Sequence, residues 1–540
     1  MTTQRLTPAL LLAAFALLAL PTEAHAGGFY ISDRGVRPAG RGFAFVAGAD
    51  DPQALWYNPA GLGFSGQQLL IDANLLFFRG SYTRVDSGGN TLPTVEADVP
   101  LLPLPMLAYS DNFGLERWTF GAGLFVPTAV LGEYPSGLDG QGHPCDMDDD
   151  PNCGPAPQRY SLINLNGSAL AHLALSVAYR PIDELSIGLG VQMMVGVFQA
   201  VVAMTACDRF LCTQPENPEW DGYARLSINP VIEPGLQGGV IYRNDVLSLG
   251  FSFLWWPKAI RGDATIDVRL PSAVLFEGAR VEGNKARVTL PFPLTLRAGV
   301  EVRPTPYLRL EVAGVFERWS SQSQVTVDPR DVWIRDALAI GDYEVGSLSI
   351  PRNMRDTYSV RVGGELTLPF EQRLSVRGGL MFETSSFSDS HLTVLTLDTR
   401  KYILGLGASF EVKPGIFLDV SYAHLFLQNR NVTNSQVTQP NPIRPPAAGD
   451  MAPDGPAYIG NGRYAMEGDM LGIGLRWQPN TAPPVVTPEP MSERGEGDAP
   501  TGRDSGEREA PAEDASPTAT PDAPQGPDAG QPSWSTGYAR

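Results

Sequence analysis

From about Gln68 to Trp477, apolar and polar residues take turns with a period of two. That is the spacing of a β-strand with one apolar and one polar face. In one segment Leu185, Ile187, Leu189, Val191, Met193, Val195 and Val197 share a face, while Ser186, Gly188, Gly190 and Gln192 share the other. In another, Leu294, Leu296, Ala298, Val300 and Val302 oppose Thr295, Arg297, Gly299, Glu301 and Arg303. The last carries Leu471, Ile473, Leu475 and Trp477 against Gly472, Gly474 and Arg476. The pattern predicts fourteen strands, at 68–83, 102–110, 118–126, 168–180, 184–202, 226–243, 246–257, 287–303, 307–320, 355–369, 373–384, 401–412, 416–427 and 468–477.

A water-soluble sandwich alternates in the same way, so connector lengths have to separate the two. After each even strand the link is tight: Pro181-Ile182-Asp183, Asn244-Asp245, Pro304-Thr305-Pro306 and Lys413-Pro414-Gly415 are examples. After each odd strand it is long. Membrane barrels sort their connectors this way, with short turns at one end and long loops at the other. The expected fold is therefore all-β, a 14-stranded antiparallel transmembrane β-barrel spanning residues 67–477. Aromatics at strand ends fit interfacial girdles: Trp118, Tyr179, Tyr242 and Trp477 at the short-turn side, and Trp255, Trp256, Trp319, Tyr358 and Tyr402 at the long-loop side.

The flanks differ from this pattern. Arg5, the apolar run Leu10–Leu20 and the small-residue site Ala24-His25-Ala26 make residues 1–26 an export signal peptide. An uncleaved anchor is disfavoured, because the run is short of the ~20 residues a span needs. Residues 27–66 are Gly-rich and too poor in periodic apolar positions to hold a core of their own. They are the available stopper for the lumen. Residues 478–540 switch to Pro, Ala and acids with no apolar period, the composition of a disordered tail. With both barrel ends on the short-turn side, the reading places both termini in the periplasm and the barrel in the outer membrane.

Fourteen strands enclose more space than side chains alone can fill. The inward parity of Arg297, Glu301, Arg309, Glu311, Arg361, Glu365 and Arg377 makes that space charged. A net charge of −19 argues against nucleic acid as a partner. Cys145/Cys153 and Cys207/Cys212 fall in long loops as two close pairs, spacings that suit local disulfides better than a zinc knuckle. Asp146, Asp148, Asp149, Asp150 and Asn152 could offer oxygen ligands to calcium. Pro151 and the lack of a closing Glu favour a solvated acidic loop. His172 and His424 fall on opposite faces and no G-x-S-x-G elbow occurs, so no catalytic residue is expected. No metal site or cofactor is expected either.

The segment Gly28-Phe29 … Gly40-Arg41 … Ala49-Asp50-Asp51 … Asn58-Pro59-Ala60-Gly61 resembles the N-terminal hatch of the outer-membrane long-chain fatty-acid and hydrocarbon transporters, the FadL/TodX/OMPP1 family. Leu296-Arg297-Ala298-Gly299-Val300, Leu374-Ser375-Val376-Arg377-Gly378-Gly379 and Tyr402-Ile403-Leu404-Gly405-Leu406-Gly407 are similar as well. The resemblance covers about residues 27–477. It implies an N-terminal hatch (27–66) in the lumen and passive uptake of hydrophobic molecules such as long-chain fatty acids or hydrocarbons. Uptake would proceed by loop capture, lumenal binding, hatch rearrangement and lateral release. Phe29 matches the family's N-terminal lumenal Phe, a ligand contact. Asp50 and Asp51 would hold the hatch through lumenal arginines, with gating as the alternative role. Asn58 and Pro59 would fix the turn into the first strand. The implied partners are hydrophobic small molecules and outer-membrane lipid, with the protein a monomer. Apolar loop stretches Leu270–Phe276 and Val332–Ile340 are the expected capture surface. The competing class is a structural or adhesive barrel that binds partners through its loops.

Overall fold

A computed structural model describes residues 30–31, 33–99, 101–126, 128–129, 133–146, 150–165, 168–207, 212, 214, 216–290, 292–443 and 457–479. All of them belong to one compact unit, Met1–Ala482. The export signal, Phe29, Asp148, Asp149 and the tail beyond 479 lie outside the described residues.

Fourteen antiparallel strands close into a barrel. We number them β1 (Gln68–Val85), β2 (Leu102–Asp111), β3 (Trp118–Phe125), β4 (Ala169–Ile182), β5 (Leu185–Thr205), β6 (Asp221–Arg243), β7 (Leu247–Trp255, continued by Ile260–Arg269) and β8 (Lys285–Leu290, then Thr295–Thr305). Next come β9 (Leu308–Glu317, then Gln324–Arg330), β10 (Leu348–Pro351, then Thr357–Leu368), β11 (Glu371–Glu383), β12 (Lys401–Lys413), β13 (Ile416–Leu427) and β14 (Gly462–Trp477). Closure is made by β1 against β14, in register from Leu69↔Trp477 to Arg84↔Gly462. The chain therefore enters and leaves the barrel at the end that carries the short turns.

Alternation sets the two faces. Each strand exposes apolar residues along one face, among them Phe77 at 41%, Leu189 at 60% and Ile232 at 62%. The polar partners of those residues point inward and are buried, Ser186 and Gln192 on β5 and Glu301 and Arg297 on β8 among them. Where its strands are paired, a closed ring with an apolar exterior satisfies its backbone groups internally, as lipid requires.

Several strands break in mid-course or run farther than the sequence pattern suggested. β7 resumes after Trp256, β8 is interrupted around Phe292-Pro293, and β9 breaks at the 3₁₀ turn Trp319–Ser321 before resuming. These breaks correct two girdle assignments. Trp256 turns inward and is 7% exposed, and Trp319 is fully buried with its indole N–H donating to Glu317 Oε2 at 2.7 Å. The long-loop end is capped by its own apolar clusters. Val332, Ile334 and Phe276 pack inside one of them, so most of the two apolar stretches expected at the surface are interior; Val274, Leu338 and Ile340 remain exposed. The cysteines are bonded as Cys145–Cys153 and Cys207–Cys212.

Candidate functional site

Residues 33–66 lie inside the ring, touching inward-facing groups around most of its circumference. Two short helices, α1 (Val36–Gly40) and α2 (Ala54–Tyr57), and a 3₁₀ turn (Pro59–Phe64) give the segment its shape. Such short helices cannot stand alone. Their stability comes from the wall.

Glycine makes the approach possible. A Cβ at Gly363 would lie 2.0 Å from Arg41 O, one at Gly379 would lie 2.2 Å from the Arg41 carbonyl, and one at Gly405 would lie 2.0 Å from Ala39 O. Across the lumen, Gly188 meets Ala60 N at 2.2 Å and Gly239 meets Asn58 Oδ1 at 2.1 Å in the same sense. The segment answers with Gly42, whose positive φ of 58° and contact with Gly379 and Leu380 leave no room for a side chain. Wall and segment thus meet along two glycine stripes, backbone to backbone at Gly363, Gly379, Gly405 and Gly188 and against the Asn58 side chain at Gly239. Inward parity of these glycines was visible in the sequence, but what they faced was not.

Charge pins the segment toward the short-turn end. Arg37 binds Asp50 at 2.6 Å, Asp51 at 3.0 Å and Glu365 of β10 at 3.0 Å. Arg309 of β9 reaches the other oxygen of Asp50 at 2.6 Å. Asp51 also accepts from the backbone N–H of Gln53 at 2.9 Å. Arg41 joins Glu301 at 2.8 Å and Glu311 at 3.2 Å, all three fully buried. Glu311 further accepts from the N–H groups of Val46, Ala47 and Gly48 at 2.7, 2.8 and 3.1 Å. Asp33 pairs with Arg361 at 2.8 Å. These wall carboxylates and guanidiniums are partners for the segment rather than a lining for water.

Burial alone would raise the Asp50 carboxyl, but Arg309 and Arg37 outweigh it and hold the group far below the usual carboxylate range. A carboxylate depressed on folding contributes above its unfolded value near about 4 and loses that contribution only as pH falls through the folded value. The docked state is therefore expected to persist from neutral pH down to about pH 4 without weakening at Asp50. Conductance of reconstituted protein, stepped through that range, measures this; progressive opening above about pH 5 would contradict it.

Asn58 does more than shape a turn. Its Oδ1 accepts from Ala60 N–H at 3.2 Å, capping the 3₁₀ turn that Pro59 begins. Its amide donates to Val46 O at 3.2 Å and to Val240 O and Phe251 O at 3.3 Å each, tying the segment to β6 and β7. The turn directly into β1 is made by Ser65 and Gly66, with Ser65 Oγ donating to Leu62 O at 2.8 Å.

On the opposite flank the lining is aromatic. Trp56 meets His172 at 5.5 Å and Phe125 at 6.1 Å, edge to face; His172 meets Trp256 at 5.6 Å, and Trp256 meets Phe292 at 5.8 Å. The Arg34 guanidinium lies 4.0 Å above the Trp56 ring. A polar ladder runs beside them, with Gln192 accepting from His172 at 3.3 Å and donating to Gln237 at 2.9 Å. Sequence reading placed His172 inward but missed this cluster, because Trp256 and Phe292 sit at breaks in their strands.

The wall is interrupted beside it. β3 leaves the ladder after Phe125, whose last partners are Met106 on β2 and His172 on β4. Beyond that level, among the described residues, Leu102–Leu104 pair only with β1 and Ala169–Ala171 only with β5. Farther on, the bridges Asp98↔Glu133, Glu133↔Asn164 and Asn164↔Val201 rejoin the two sides. At the interruption Arg34 donates to Val126 O at 2.6 Å, and Tyr30–Ile31 pair with Thr128–Ala129. The start of the lumenal segment is thus laced to the strand that departs from the wall.

A membrane-type barrel with its lumen occupied by its own N-terminal segment is the class that these features define. Residues 168–455, more than half of the chain, match the family of outer membrane protein transport proteins (OMPP1/FadL/TodX). The chain belongs to that family, which places it in the outer membrane. It is similar to outer membrane protein P1 of Haemophilus influenzae, 22% identical over 452 residues, which cover 77% of this chain and 89% of that protein. Its fold resembles a FadL homologue of Pseudomonas aeruginosa (TM-score 0.64, 16% identity, covering 84% of this chain and 99% of the other). It also resembles the toluene transporter TodX of P. putida (TM-score 0.53, 14% identity, covering 81% and 99%).

Proposed function

We propose that the chain is a channel for passive uptake of hydrophobic molecules, long-chain fatty acids or hydrocarbons, across the outer membrane. The observation that carries this reading is the meeting of three features at one level: the aromatic cluster around Trp56, the interrupted wall at Phe125, and the start of the lumenal segment. Residues 27–66 act as the hatch. The short-turn end and both termini face the periplasm.

An apolar ligand is first captured at exposed loop residues such as Val274, Leu338 and Ile340. Desolvation drives this step without a specific polar code. The ligand then moves inward to the ring cluster, where Phe29 joins the contacts. Its entry competes with the packing of Trp56 and Phe125, so Tyr30–Ile31 part from Thr128–Ala129. The ligand leaves sideways between β2 and β4 into the bilayer. The charged floor around Arg37 stays shut to water and ions throughout. Family membership and the TodX likeness support the hydrophobic class of ligand.

Liposomes carrying the full-length protein and labelled oleate test the reading. Uptake above that of empty liposomes is expected, and Trp56→Ala is expected to lower it about tenfold through loss of ring contacts. Uptake no faster than in empty liposomes would overturn the proposal.

A further inference from the structure

The inward charges of β8–β11 are engaged in ion pairs. Arg309 reaches Asp50 at 2.6 Å and Glu301 at 3.0 Å, Arg361 reaches Asp33 at 2.8 Å, and Arg377 reaches Glu365 at 2.6 Å. Glu301 and Glu311 hold Arg41. Arg297 of β8 is the exception. It is 3% exposed, its Nε is buried without a hydrogen-bond partner, and it forms no ion pair among the described residues. The acids whose field reaches it are taken: Asp33 by Arg361, and Glu317 by the Trp319 indole N–H at 2.7 Å. Of its ladder neighbours, Ser252 on β7 donates its hydroxyl to Tyr57 O at 2.6 Å, and Val315 on β9 is apolar.

Position gives this cation a use. Its guanidinium carbon lies 5.6 Å from the centre of the Trp56 ring. Trp56 is the hub of the aromatic cluster, with Phe125 and His172 against it. Phe292, just before the second stretch of β8, closes the far side against Trp256. A ring face is a partial partner for a cation. A carboxylate is a better one, because a guanidinium grips it through two parallel N–H···O bonds. A buried cation left with a ring alone is a standing cost to the fold, which an apolar side chain at this position would avoid.

Resting on the uptake route proposed above, we infer that the lumenal site takes an apolar acid, a chain or ring carrying one carboxylate, in preference to a neutral hydrocarbon, and that Arg297 selects it. The apolar part lies among Trp56, Phe125, Trp256 and Phe292, and the carboxylate meets the Arg297 fork. The wall thus recognises the head of the ligand, while the aromatic cluster accepts its body without a polar code. Fatty and aromatic acids share this chemistry, and the test separates them.

Native mass spectrometry of the full-length protein in detergent at neutral pH is the measurement, with four probes: oleate, methyl oleate, phenylbutyrate and methyl phenylbutyrate. Oleate is expected to bind at least about tenfold more tightly than methyl oleate, which has the same chain and no charge. Arg297→Met is expected to remove that difference by weakening oleate about tenfold, with methyl oleate changed by less than about twofold. Arg297→Lys is expected to restore part of the preference, since charge returns without the fork. Heat-modifiable gel migration checks that each barrel is folded. If phenylbutyrate binds more tightly than oleate and depends on Arg297 in the same way, the subsite stands and the acid is aromatic. Equal binding of each acid and its ester to the parent protein overturns the inference without any variant. A preference for acids that survives Arg297→Met overturns it as well, and so does the failure of all four probes to bind. Faster entry of a neutral ligand into liposomes carrying the protein would still support the channel, so the two readings fail separately.

Discussion

Arg37→Ala is expected to open the barrel to ions. Arg37 is the common partner of Asp50, Asp51 and Glu365, at 2.6–3.0 Å. Burial opposes its charge, but Asp50, Glu365 and Asp51 more than compensate and hold it well above its ordinary value. Removing it leaves three carboxylates crowded together, with Arg309 able to serve Asp50 and Arg377 able to serve Glu365. Breaking a buried pair from one side costs about 3–5 kcal/mol, because the other charge stays behind without its partner. Arg41 with Glu301 and Glu311 still holds the neighbouring stretch, so the loosening is expected around α1 and the Asp50–Asp51 pair. In planar bilayers the variant should show long-lived conductance where the parent is mostly closed. Digestion of residues 33–66 by added protease should speed up in parallel. A variant that stays silent and protected would remove Arg37 from the role given to it here.

Gly379→Val is expected to produce a comparable opening with no change of charge. Its Cβ would lie 2.2 Å from the Arg41 carbonyl, and both surfaces are backbone, so neither can yield by a rotamer change. Overpacking of this kind costs about 1–3 kcal/mol where side chains can adjust, and more where they cannot. The neighbouring residue supplies the control. A Cβ at Gly378 meets only Leu406 Cδ2, at 3.9 Å, so Gly378→Val should leave conductance and thermal unfolding unchanged. Equal behaviour of the two variants would mean that the glycine stripe is not a docking surface.

Much of the barrel could be read from alternation because a two-faced strand writes its environment into every second residue. Leu189 and Gln192 each announced their side, and both lie there. Parity fails where a strand breaks. Trp256 and Trp319 looked like girdle residues because each ends an alternating run, yet the turn that follows rotates each of them into the interior. The apolar loop residues Val332 and Ile334 misled for another reason. Composition tells that they avoid water, and only the packing of neighbouring loops tells what they avoid it with. Asp50 and Asp51 could be singled out by motif, whereas their partner Arg37 is an ordinary residue until the chain folds back on itself. Glycine leaves the least trace of all. Gly363 and Gly379 pointed inward by parity, but their use lies in what their missing side chains allow.

The departure of β3 at Phe125 has a bearing on how such a device can work without fuel. The strand that abandons the cylinder and the first residues of the lumenal segment grip one another across a few hydrogen bonds, while the heavy electrostatic moorings sit on β8–β10. One flank is stitched lightly and the other is bolted. On the route proposed above, an oily guest arriving at the light stitching would need to disturb only that flank, so that thermal motion would suffice for passage and the concentration difference alone would set its direction.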